Sequence, residues 1–68
     1  MNEEALNLSV RKFLKKLGVT AQREIEQAMR EAAAGDWLKG RTSFPAKATI
    51  TVQGIELAFE IAGDIEIA

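Results

Sequence analysis

Between Lys47 and Ala68 the side chains of the segment KATITVQGIELAFEIAGDIEIA alternate in hydrophobicity, and no other feature of the chain restricts its fold so tightly. Ile50, Val52, Ile55, Leu57, Phe59, Ile61, Ile65 and Ile67 follow a period of two. Successive strand residues point to opposite faces, so this pattern gathers the apolar set on one side of a sheet and leaves Thr49, Thr51, Glu56, Ala58, Glu60 and Glu66 on the other. The spacing predicts a three-stranded antiparallel meander with a covered face and a wet one. A two-residue Gln53-Gly54 hairpin loop sets Val52 opposite Ile55 and Lys47 opposite Glu60. An odd loop at Ala62-Gly63-Asp64 then keeps Ile61 and Ile65 on one face. The middle strand, Ile55 to Ile61, is expected to be central.

The cover comes from the first half of the chain. Asn2 is suited to an N-cap, and Glu3 and Glu4 complement the positive end of a helix dipole. Leu6, Val10, Phe13, Leu14 and Leu17 form one helical stripe, and Lys15, Lys16 and Gly18 read as its end, giving a helix over about residues 3–17. Leu8 projects roughly 200° from Leu6, off the stripe, and is a candidate for a second contact. After a short Gly18-Val19-Thr20 link, Thr20 caps a second helix with Ala21, Ile25, Ala28, Met29 and Ala32 on one face. That helix carries a Glu26–Arg30 pair and ends at Gly35. The connection GDWLKGRTSFP holds Trp37 and Phe44, which either plug the ends of the layers or, in the case of Trp37, line a binding surface. Pro45 marks the start of an edge strand.

These elements predict an α+β fold over residues 1–68, one small domain. Two N-terminal helices pack on one face of a three-stranded antiparallel meander (ααβββ). A chain of 68 residues buries only about 60% of its unfolded surface, so its core is marginal and a partner would stabilise it.

Composition narrows the function classes. The chain has no cysteine and no histidine, which removes thiolate catalysis, disulfides and the commonest metal ligands. Tyrosine is absent too, and the acids fall on faces predicted to be wet, so no catalytic, cofactor-binding or metal-binding residue is assigned. Net charge is −1. Residues 1–41 carry eight basic and six acidic side chains, and residues 42–68 one against four. The longest apolar run is far below the roughly 20 residues of a membrane span, and the first residues are acidic where a signal peptide is basic. A soluble, cytoplasmic protein without membrane or cofactor is expected.

The segments NEEALNLSVRKFLKKLGVTAQREIEQAMREA, LKG, FPA and TITVQG, ending near GDIEI, resemble a family of short, uncharacterised proteobacterial proteins classed as a domain of unknown function. The most specific stretch runs from Arg11 to Glu26. The resemblance implies a bacterial origin and assigns no functional residue.

A non-enzymatic protein-interaction module that self-associates is the leading functional expectation. Its candidate contacts are Leu8, Trp37 and Ile67, the last on an unguarded C-terminal edge strand. The alternative is nucleic-acid binding through a helix-turn-helix-like outline, with Arg11, Lys12, Lys15 and Lys16 as possible phosphate contacts. It ranks second because the would-be reading helix pairs Arg23 and Arg30 with Glu24, Glu26 and Glu31, and the basic cluster spans its helix as a solvated face does.

Overall fold

Asn2 opens the first element as expected: its side-chain oxygen accepts the Ala5 N–H at 3.0 Å and its carbonyl accepts the Leu6 N–H at 3.0 Å. In the computed structural model, which describes Met1 to Ala68, the helix that starts there (α1) runs unbroken from Glu3 to Ala34. The expected break at Gly18-Val19-Thr20 does not occur. Ending one helix and starting another leaves four carbonyls and four N–H groups without intrahelical partners. Gly18 in a helix interior costs only about 1 kcal/mol relative to alanine, and the cap that Thr20 would supply recovers at most one donor. No proline falls within α1 to force the issue. The apolar stripe also continues in phase, because Leu17 and Ala21 stand four residues apart on one face.

The C-terminal end of α1 closes as a Schellman motif. The Trp37 N–H donates to the Ala32 carbonyl at 2.8 Å and the Asp36 N–H to that of Ala33 at 3.2 Å. The helix ends at Gly35, as sequence reading expects, although Gly35 itself has φ −89° and the left-handed residue is the next one, Asp36, with φ 60°. A Cβ at Gly35 would stand 2.6 Å from the exposed Trp37 ring, so the ring lies where only a glycine leaves it room without shifting. A turn from Leu38 to Arg41 follows, with Lys39 and Gly40 both at positive φ and the Arg41 N–H donating to Leu38 at 3.0 Å.

The sheet has two strands, not three. Strand β1 is Ser43–Val52, and β2, Leu57–Glu66, pairs with it antiparallel along ten residues, from Ser43 opposite Glu66 to Val52 opposite Leu57. The predicted turn at Ala62-Gly63-Asp64 is mid-strand: Gly63 faces Ala46. Residues 61, 63 and 65 share a face in a continuous strand as well as across an odd loop, so alternation alone does not separate the two. Pairing extends back past Pro45 because the proline sits where no ladder bond is needed. The Ile67 N–H donates to the Thr42 carbonyl at 2.9 Å, which makes every second pair from there hydrogen-bonded and leaves Pro45–Asp64 between them.

The hairpin loop holds four residues, Gln53 to Glu56, rather than two. A two-residue primed turn needs positive φ at its first central position, and in type I′ at both, but of Gln53 and Gly54 only Gly54 adopts it, at 96°. The longer loop spares Gln53 that conformation and shifts the register by two residues, which preserves the faces. Ile55 leaves the apolar set and enters the loop. Lys47 and Glu60 still meet, at 3.8 Å across a diagonal. The chain divides into two compact units, Met1–Trp37 and Leu38–Ala68.

Candidate interaction surfaces

Each unit carries one apolar face. On α1, the positions Leu6, Val10, Phe13, Leu17, Ala21, Ile25, Ala28 and Ala32 follow intervals of 4, 3, 4, 4, 4, 3 and 4 residues, with Leu14 and Met29 beside them. At about 100° per residue they lie within one stripe along the helix. On the hairpin, Phe44, Ala46, Ala48, Ile50 and Val52 of β1 align with Ile65, Gly63, Ile61, Phe59 and Leu57 of β2. No side chain in either unit is buried. Phe13 remains 52% exposed, Phe59 42% and Ile61 58%. Leu17, Ala21, Met29, Ala32, Phe44, Ile50 and Ile65 reach only intermediate burial.

The opposite faces are polar. Glu26 accepts from Gln22 at 3.1 Å and pairs with Arg30 at 3.5 Å, the i,i+4 pair expected from sequence, and Gln27 donates to Glu31 at 3.3 Å. Val19, Gln22, Arg23, Glu26, Gln27 and Arg30 border a shallow depression on this side of α1. It is one face of a single helix, open to solvent, and brings no second element to a ligand. No three His, Cys, Asp or Glu side chains converge to hold a metal ion.

The residues singled out from sequence do not converge. Leu8 is 55% exposed on the side of α1 away from the stripe. Trp37 is 74% exposed beyond the helix end, and its ring lies against Gly35. Ile67 follows β2, its N–H engaged by Thr42, so the expected third strand with its own C-terminal edge is absent. In a two-stranded sheet both strands are edges along their whole length. Arg11, Lys12, Lys15 and Lys16 are exposed along α1. The turn that a helix-turn-helix requires between residues 17 and 21 is helical.

Sequence reading missed the continuity of the stripe. The signal was present in the Leu17-to-Ala21 spacing, which steps across Gly18 without losing phase. It also missed the Arg41 guanidinium stacked 4.2 Å over the Phe44 ring, which shields one end of the hairpin's apolar face.

A long amphipathic helix followed by an antiparallel hairpin, each with one apolar face, defines a small α+β protein. The chain belongs to the Family of unknown function (DUF6494), whose family model matches residues 1–68. No curated protein and no solved structure matches it. No helix is long and apolar enough to cross a membrane.

Proposed function

We propose that this protein is a non-enzymatic interaction module that works by associating with itself. One observation carries the reading: 47% of the residues are hydrophobic, one continuous apolar face on α1 and one on the hairpin gather most of the larger ones, and no side chain within either unit is buried. An isolated two-stranded hairpin is marginal in water, and helices draw most of their stability from packing an apolar face. Fully burying one Leu, Ile or Phe contributes about 1.5–3 kcal/mol, so covering either face changes the folding equilibrium decisively.

Self-association makes stability depend on protein concentration. Light scattering after size exclusion, across a dilution series, is expected to show a mass above that of the single chain. The melting temperature is expected to rise with concentration. A monomer at high micromolar concentration with a concentration-independent transition overturns the proposal. So does tight, salt-sensitive retention of a DNA or RNA duplex that is lost when Lys12 and Lys16 are changed to Gln.

A further inference from the structure

The intervals along the stripe of α1 read the same from either end, and their midpoint is Val19. Three properties of the helix agree on what such symmetry accommodates. Closed twofold dimers use the same patch on both copies, so a palindromic stripe matches itself when the second helix runs antiparallel. Side-chain volume is distributed to suit: large residues occupy the first half of the stripe and alanines most of the second. An antiparallel copy centred on Val19 therefore sets Leu17 opposite Ala21 and Val10 opposite Ala28. A parallel copy crowds Phe13 against Phe13 and leaves Ala28 facing Ala28.

Charge points the same way. The first half holds Arg11, Lys12, Lys15 and Lys16 together, whereas residues 23–31 carry two basic and three acidic side chains. A parallel pair lines the basic cluster against its own copy, and an antiparallel pair lines it against the acidic half. Glu24 falls on the flank of the stripe, about 3 Å along the axis from Lys16 of the second copy in this register and on the same side of the dyad.

We infer that α1 is a homodimerisation helix: two copies pack antiparallel along the stripe from Leu6 to Ala32, about a twofold axis at Val19, with Lys16 and Glu24 pairing between copies. This rests on the self-association proposed above and names the surface and the orientation. Thr20 and Ser9 lie on one flank, and the chain has no cysteine, so each accepts a single spin label as Thr20→Cys or Ser9→Cys without touching the stripe. In the full chain, Thr20 labels on the two copies are offset along the axis by about 3 Å and Ser9 labels by about 30 Å. Pulsed dipolar spectroscopy is expected to give a short distance at Thr20 and a long one at Ser9. Lys16→Glu is expected to raise the dimer dissociation constant about tenfold through two repulsive pairs, and adding Glu24→Lys to restore it.

Short distances at both labels mean a parallel pair and overturn the inference. A dimer mass with a long Thr20 distance places the contact elsewhere and overturns it while leaving self-association standing. Absence of dipolar coupling together with a monomer mass removes both.

Discussion

Three residues carry conformations or vacancies whose replacement gives opposite signs. Gly18 lies inside α1, and a Cβ there would meet no atom within 4 Å. Gly18→Ala is expected to stabilise the helix by about 0.5–1 kcal/mol, read as a higher melting temperature and stronger far-ultraviolet helical dichroism. A chain that turned at this position would lose stability on the same change. Asp36 holds φ 60° immediately after the helix, where its negative charge opposes the dipole and no basic residue in the last turn offsets it. Asp36→Asn keeps a residue that tolerates the left-handed region and removes the charge, so a gain of about 0.3–1 kcal/mol is expected, shrinking as salt is added. Gly54, at φ 96°, is the reverse case. Gly54→Ala is expected to cost about 1–3 kcal/mol by denaturant titration.

At the scale of elements, the hairpin depends on one strand-long register and the helix on one continuous stripe. Gly63 sits in β2 opposite Ala46, extended and with open space where a Cβ would go. Gly63→Val is expected to stabilise the hairpin by about 0.5–1 kcal/mol, because a β-branched side chain suits a strand and reduces the freedom of the unfolded chain. Loss of stability on this change would return Gly63 to a turn and restore a third strand. Much of this was readable beforehand. The apolar alternation, the Asn2 cap and the Glu26–Arg30 pair follow from local spacing, whereas Lys47 and Glu60, expected directly opposite each other, meet only on a diagonal of the shifted register. The turns at Gly18 and Gly63 were misread because glycine is common in turns, yet in a paired strand or a propagating helix its cost is smaller than that of breaking the ladder.

For the whole molecule, the two apolar faces set the expected behaviour in solution. A substitution on a face that a partner covers should act in proportion to association. Phe13→Ala is expected to weaken the dimer and, under dilution to the monomer, to change stability far less than the roughly 3–5 kcal/mol of a buried phenylalanine. Equal losses at all concentrations would instead place Phe13 in a core within one chain. Sequence by itself determined which side chains share a face, because the periods of 3.6 and 2 are local properties of a helix and a strand. It determined as well that the set of chemistry-bearing residues is small. Tertiary structure alone decided that ten residues of each strand pair without a second turn, since alternation reads the same either way, and it settled the helix at Gly18, where the phase of the stripe and the turn preference of glycine disagree. Those outcomes depend on the summed hydrogen bonds of a whole element against the preference of one glycine, and that balance is struck only when all the partners are in place.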